Sequence, residues 1–599
     1  MVGLDIGDGE SALCWLSTDT ARLRDQANIF VRATGEKGII TATAWKQGED
    51  GRPPRLLFGE EAVLSKDCFQ FGVNFKNPPD PLDEVTPQTV LFAQALLGEF
   101  FRRHPGIRRR CVVYIGHPTG WPDDVVAAYA QQFHALDVPV QLMPESQSAL
   151  VHVRDRRATD SSDEYGYRGL RKVLVVDIGS STTDFTFVDD LVPCNLPTGA
   201  SLGCRQIDKK LVERVMAASA QDTGFIEAVN SPGGKEMLLL VCRRAKEIQF
   251  SPLGDDSKED PFLRMPSACD PRFSPIMERG RGCLRGMDIP GHVVAAPGGW
   301  ADGFRAVLAE VAEQLEAAGP ELIVLTGGGS RMPVVRTICM EIFPDALVEN
   351  DPHPGLTVAR GLASAGRHRV AMERFRDDIG ALKERPDFTG KIREALLDSF
   401  DVVKARLRQR LEQALEDGTA SRTLLDELID ETTGGDEVRE HLRKALETSL
   451  IPLVQEICRT YGVKDDHFRL NLEVPDVVGS TMRARLLTIC RAVEFSKNLL
   501  KAARAFGQGG SIVMRGAVEL VRRAGSLPTI ASAGVVGTVA GAVVGSAMGV
   551  EKLARRRLDT VVETAQLEPD QVQQLVEQVA EAIMVQMDAR AVEIERFLF

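Results

Sequence analysis

Val173-Leu174-Val175-Val176-Asp177-Ile178-Gly179-Ser180-Ser181-Thr182-Thr183-Asp184-Phe185 decides how this chain is read, because its start says nearly the same thing: Val2-Gly3-Leu4-Asp5-Ile6-Gly7-Asp8-Gly9-Glu10-Ser11-Ala12. Each stretch is an apolar strand ending in Asp-Ile-Gly, then small turn residues. A second apolar run follows, Leu13–Leu16 in one copy and Phe185–Val188 in the other. That pattern predicts two tight β-hairpins. Glycine in such a turn lets backbone N–H groups face an anion at close range. Asp5 and Asp177, at the strand ends, are placed to face a magnesium ion through water, since Mg²⁺ keeps much of its hydration shell. Two such hairpins imply two related halves gripping one phosphate chain from opposite sides. A single Asp-Ile-Gly is an ordinary turn; the repetition carries the reading.

A third element points the same way. Glu321–Ser330 reads Glu-Leu-Ile-Val-Leu-Thr-Gly-Gly-Gly-Ser, and Arg331, Met332 and Pro333 lead into an apolar periodic stretch up to Phe343. The expectation is a buried strand, a turn at Gly327, Gly328 and Gly329, and a helix with Pro333 in its first turn. Such a crossover places a ligand at the carboxyl end of a sheet strand.

These three segments, in this order and at these separations, resemble the phosphate-1, phosphate-2 and adenosine motifs of the actin-like ATPase superfamily. Within it they are most similar to the nucleotide-binding domain of heat-shock protein 70 (DnaK type), over about residues 1–366. The resemblance implies an α/β, two-lobed fold of duplicated ribonuclease-H-like subdomains, with lobe I at 1–172 and lobe II at 173–366. ATP and Mg²⁺ would lie in the cleft between them. Asp5, Gly7, Asp177, Gly179, Thr182 and Asp184 match the phosphate loops, with Asp5 and Asp177 on the metal side. Lys76 resembles the lysine near the terminal phosphate and attacking water, and Glu145 the connecting glutamate near metal and water. Gly203 and Asp208, in Leu202-Gly203-Cys204-Arg205-Gln206-Ile207-Asp208, resemble a segment beside the terminal phosphate; Lys246 and Arg331 resemble nucleoside contacts. The implied catalytic set is therefore Lys76, Glu145, Asp177 and Thr182.

This chain departs from the family pattern at several points. Asp8 and Gly9 stand where two hydroxyl residues are usual, Ser180 and Ser181 where two glycines are, and Gly329 replaces a serine. Glu247 stands in place of an arginine beside the adenine, and His353 in place of an aspartate. A carboxylate beside a triphosphate costs electrostatic free energy unless a cation lies between. Asp8 therefore either opposes the phosphates or adds a metal contact. The expectation is retained nucleotide binding with slow hydrolysis.

Composition agrees with a large intracellular protein of several domains. The chain has 599 residues and a net charge of −13, which argues against a nucleic-acid surface. Its 11 cysteines include no Cys-x-x-Cys pair, so a reducing cytoplasm without a zinc site is the simplest account. The first strand begins at Val2, which leaves no room for a signal peptide.

After Gly366 the chain changes character. Ile392, Leu396, Phe400, Val403, Leu407, Leu411 and Leu415 recur every three or four residues, and Val438, Leu442, Leu446, Leu450, Val454, Ile457 and Tyr461 repeat the pattern around Pro452. These stripes predict a helical domain over 367–510, with Gly418 as a stop, one short strand at Phe468–Val474 and further helices at Met482–Phe506 and Gln571–Phe597. The acidic-leucine linker and β-sandwich of a peptide-clamping chaperone are missing, so that activity does not carry over.

Residues 511–599 carry the other prominent feature. Thr529–Val550 has no charge, and Gly537, Gly541, Gly545 and Gly549 recur every fourth residue, one face of a helix. At about 1.5 Å per residue the segment reaches about 33 Å, enough to span a bilayer, but its small residues dilute its hydrophobicity. Membrane contact, self-association and simple burial in the bundle all stay open.

Two functional readings follow. One is an Hsp70-like ATP-binding protein whose nucleotide state controls a helical region facing a protein client, partner or membrane. The alternative is a membrane-associated, filament-forming actin-like ATPase, with a homo-oligomer as its working form.

Overall fold

The computed structural model describes residues 1–487, 556, 560 and 563–598, apart from 24, 34, 36, 49–51, 74–75, 80–86, 160–171, 190–191, 197, 200, 251–269, 316–318, 417–426, 428–435, 464–471 and 473. The chain is mixed α/β and divides into two compact units, Met1–Glu373 with Glu595–Phe599, and Arg374–Ile594.

The first unit is organised by two sheets with the same plan. Strands β1 (Val2–Ile6) and β2 (Glu10–Trp15) form an antiparallel hairpin, extended on one side by β3 (Asn28–Ile29) and by β4 (Ile39–Ile40). A small sheet of β5 (Ala42–Lys46), β6 (Arg55–Phe58) and β7 (Cys68–Val73) follows, in the order β6-β5-β7. Strands β8 (Val113–His117) and β9 (Val140–Pro144) then add to the other side of β1, both parallel, giving β3-β2-β1-β8-β9. The second sheet repeats this. Its hairpin is β10 (Lys172–Ile178) and β11 (Thr183–Asp189), with β12 (Val192–Leu196) antiparallel outside and β13 (Leu322–Thr326) and β14 (Leu347–Asn350) parallel beyond. Its order is β12-β11-β10-β13-β14. The repeat seen as a phrase in the sequence is a repeat of strand order and direction.

Burial explains why these strands read as unbroken apolar runs. On β10, Val173 and Val175 pack with Ala149, Leu150 and Val153 of helix Glu145–Thr159, while Leu174, Val176 and Ile178 join the opposite core of the second half. Leu322 and Val324 of β13 face the first set, Ile323 and Leu325 the second. A strand with both faces covered needs no polar side, so the period-2 alternation vanishes. In the first sheet, Leu13 faces helix Gln88–Arg103, whereas Ala12, Cys14 and Leu16 meet Ala359 and Ala363 of helix Thr357–Ala381. That helix crosses β1 so closely that a Cβ on Gly3 would lie 2.2 Å from the Ala359 carbonyl oxygen.

Between the strands of the second half lie helices Arg205–Ala218, Thr223–Asn230, Gly234–Gln249, Ser274–Leu284 and Trp300–Leu315. The helix at Ser274–Leu284 forms in a stretch rich in Pro, Gly and charge. Its Gly280 is a packing contact: a Cβ there would lie 2.6 Å from Val241.

The second unit is helical. Helices Pro386–Glu416 and Asp436–Tyr461 pack together, and Pro569–Leu598 closes the described chain. Ile392, Leu396, Phe400, Val403 and Leu407 are buried, as are Leu442, Leu446, Leu450, Val454 and Ile457, so the stripes are packing faces. Pro452 sits inside its helix without ending it. Residues 476–487 are helical, while Leu472 and Val474 are not in a strand; the rest of the anticipated strand, the stop at Gly418 and Thr529–Val550 lie outside the described residues. No helix among the described residues is long and apolar enough to cross a membrane.

Candidate functional site

Each hairpin delivers one aspartate to the same place. Asp5 is the penultimate residue of β1, and Asp177 holds the equivalent position on β10, paired across the hairpin with Asp184. Glu145 begins helix Glu145–Thr159 directly after β9, where the unsatisfied N–H groups of a helix start favour a carboxylate. Lys76, buried on the segment after β7, donates a hydrogen bond to Glu145 Oε1. Side-chain exposures of 3% and 12% make this a buried ion pair.

One lysine faces several carboxylates, and their proton affinities show it. Burial and then Glu145 push Asp5 up to about 7. Asp184 is pushed up to about 6, again by burial and then Glu145, against a hydrogen bond from Thr182. Asp177 is raised well above the ordinary carboxylate range by burial, then Glu145, Asp184 and Asp5. Lys76 moves in the direction that keeps its charge: burial opposes it, but Glu145, Tyr129 and Asp5 outweigh burial and hold it above its ordinary value. Neighbouring carboxylates that raise one another are the condition a cation relieves. Their hard oxygen donors suit Mg²⁺. Among the described residues no three of His, Cys, Asp or Glu stand close enough to hold an ion directly, so an ion on Asp5 and Asp177 would keep much of its water.

Hydrogen bonds tie down the turns around this cluster. Ser180 O accepts from the Arg205 N–H at 2.7 Å and Gly179 O from the Cys204 N–H at 3.1 Å. This close approach requires Gly203, where a Cβ would lie 2.2 Å from Ser180 O. Thr182 donates to Asp184 at 2.6 Å, and the Gly120 N–H reaches the other Asp184 oxygen at 3.3 Å. At the end of β13, Gly327 adopts φ +75°, and a Cβ there would lie 2.3 Å from Asp177 Oδ1. The chain then makes a turn of 3₁₀ helix, Gly328–Arg331, before helix Pro333–Ile342. Gly329 packs on Ile178 and Cys204, whereas nothing lies within 4 Å of a Cβ on Gly328. Gly328 thus presents bare backbone to open space.

Asp5, Lys76, Glu145, Asp177, Asp184 and Thr182 form one constellation, with the turns at Gly7–Gly9, Gly179–Thr182, Gly203 and Gly327–Gly329 around it. Lys246 is engaged elsewhere, paired with buried Asp208 at 2.6 Å and donating to Cys204 O at 3.3 Å. Arg331 is exposed. Glu247 pairs with Arg244 at 2.7 Å.

Asp8 holds a finding that sequence reasoning missed. It faces neither open cleft nor metal-side carboxylates. Its side chain is fully buried, and Oδ2 accepts from Arg205 Nε at 2.9 Å. Arg243 lies 3.8 Å from the same oxygen and donates to the Asp8 carbonyl at 3.2 Å. Nothing in the sequence couples residues 197 and 235 positions apart. Tyr129 is the second omission: its ring is buried against Trp121 and Phe133, its hydroxyl has no hydrogen-bond partner among the described residues, and Lys76, Glu145 and Asp5 all act on it. The phenol and lysine come from separate segments with no shared motif. No family model matches this chain, and no curated protein matches it.

Proposed function

We propose that residues 1–373 form a two-lobed, actin-like ATPase unit of the Hsp70 type. It binds Mg-ATP between the two hairpin turns, hydrolyses it slowly, and through its nucleotide state governs what the helical unit does with a protein or membrane partner in the cytoplasm. The observation that carries this reading is the duplicated sheet: two identical strand orders each bring a hairpin aspartate to one cluster containing the Lys76–Glu145 pair.

The roles follow from the chemistry. Asp5 and Asp177 would hold a magnesium ion through its water, and its charge would let carboxylates with raised proton affinity ionise together. Backbone N–H groups of the glycine turns cradle phosphate oxygens. Lys76 stabilises charge that develops on the terminal phosphoryl group, and Glu145 holds the attacking water in line. Slow turnover follows because Lys76 and Glu145 neutralise one another and must part for either role.

Calorimetry with ATP and Mg²⁺ on the full chain tests the reading. Binding that disappears in Asp177→Asn supports it, and no binding at millimolar nucleotide refutes it. ATP-dependent sedimentation of the same protein would instead mark the filament-forming reading.

A further inference from the structure

The contacts of Asp8 place a second charged cluster at the point where the two hairpin turns approach each other. Arg243 emerges from helix Gly234–Gln249 and is 3% exposed. Its guanidinium donates to Asp8 O of the first turn and to Ser180 Oγ of the second at 3.4 Å. It also pairs with Asp208 at 3.6 Å. Arg205, at the start of helix Arg205–Ala218, brings a second guanidinium to the same carboxylate. Gly9 leaves the room: a Cβ there would lie 2.9 Å from an Arg243 terminal nitrogen. Two arginines from the second half thus converge between the turns, and the anion they hold is a side chain of the first half.

Asp8 fills this seat incompletely. Oδ2 serves both guanidinium groups, while Oδ1 is buried with no hydrogen-bond partner among the described residues. A phosphoryl group carries more acceptor oxygens than a carboxylate, and paired arginines match its geometry bidentately. Ser180 already lies in the second turn, so an anion in the seat would touch both turns at once.

We propose that Arg205 and Arg243 form a phosphoryl-binding seat that Asp8 occupies as an internal stand-in, so that a phosphate chain binds by displacing the Asp8 carboxylate. The inference rests on the nucleotide reading for the substrate's full identity, but the seat itself requires only a polyphosphate. Asp8 then sets affinity: it closes the two turns on each other when no polyphosphate is bound and competes with one that arrives.

The experiment uses the full chain and two probes, tripolyphosphate and Mg-ATP, with binding followed by calorimetry. Asp8→Asn removes the competing charge at nearly constant shape and is expected to tighten tripolyphosphate binding at least tenfold. Adding Arg243→Met to that variant should abolish the gain. Arg205→Met alone, in a partly exposed side chain, should weaken binding, whereas a merely structural clasp would leave affinity unchanged or raise it. Urea midpoints from tryptophan fluorescence verify that each variant is folded, and Asp8→Ser substitutes for Asp8→Asn if that one is not. Equal tripolyphosphate affinity in wild type and both Asp8 variants overturns the seat while leaving Mg-ATP binding to be judged separately. Tripolyphosphate binding that tightens without any Mg-ATP binding upholds the seat and refutes the nucleotide reading.

Discussion

Replacing Lys76 with methionine keeps the length of the stem but removes a cation that sits among Asp5, Glu145 and Asp177. The structure sets the size of the effect. Lys76 and Glu145 are 3% and 12% exposed in the side chain, so little solvent screens the pair. Breaking a buried pair by removing one partner costs about 3–5 kcal/mol, because the other charge stays buried alone. Glu145→Gln removes that charge, so the double variant should recover most of the loss, with a coupling free energy of at least ~2 kcal/mol. The loss in Lys76→Met should also grow with pH, since protonation of the carboxylates relieves it at low pH. The chain offers a selective probe: Trp15, Trp45, Trp121 and Trp300 are its only tryptophans, and all lie in the first unit. Urea unfolding followed by tryptophan fluorescence therefore reports this unit alone. A cost below about 1 kcal/mol for Lys76→Met, or single-variant effects that add to within ~0.5 kcal/mol, would refute the buried pair as described.

Other outcomes follow from the same site. Lys76→Ala should lower ATP turnover far more than ATP affinity; equal losses would assign Lys76 to binding alone. Asp5 is raised to about 7 and Asp184 to about 6 in the folded protein, so between pH 4 and 7 the folded state holds protons that the unfolded chain has released. Their contribution to stability is therefore lost as pH rises through that window. His152, lowered to about 4 first by burial, acts oppositely, its contribution disappearing as pH falls below its ordinary value. Relative to Asp5→Asn, wild type should lose on the order of 1–3 kcal/mol from pH 5 to 8 in urea unfolding, and Mg²⁺ should restore part of it. Gly203→Ala must displace the backbone of Ser180 and Ser181, and should cost about 1–3 kcal/mol and abolish tripolyphosphate binding. Gly328→Ala meets nothing within 4 Å, so its stability should match wild type while ligand affinity falls where a ligand rests on that turn. Gly541→Leu with Gly545→Leu should dissociate oligomers without weakening liposome flotation if the glycine face mediates assembly; wild type that is monomeric and never floats would refute both roles.

What was legible in the sequence is what local chemistry encodes. Asp-Ile-Gly after an apolar run can close a hairpin within a few residues, and both copies do. A strand buried on two faces, such as Val173–Ile178, shows as a continuous apolar run. The amphipathic stripe at Leu442–Ile457 survives Pro452 because burial of the stripe outweighs one lost backbone hydrogen bond. What was not legible depends on distance or on a residue with two meanings. Gly280 lies inside helix Ser274–Leu284 and lets it approach Val241 closely, a contact no local pattern announces. Cys68–Val73 joins the small sheet although Gln70 adopts φ +50°, which no period-2 pattern signals. Asp8 is the clearest case. Read locally, it is a negative charge where phosphate should sit, and so an obstacle. Read with Arg205 and Arg243, it is the anion of that seat, supplied by the chain itself. The local reading missed its partners, because arginines 197 and 235 residues away leave no mark on the sequence around a turn. The acidic residue at this turn is thus answered across the two halves by guanidinium groups of Arg205 and Arg243.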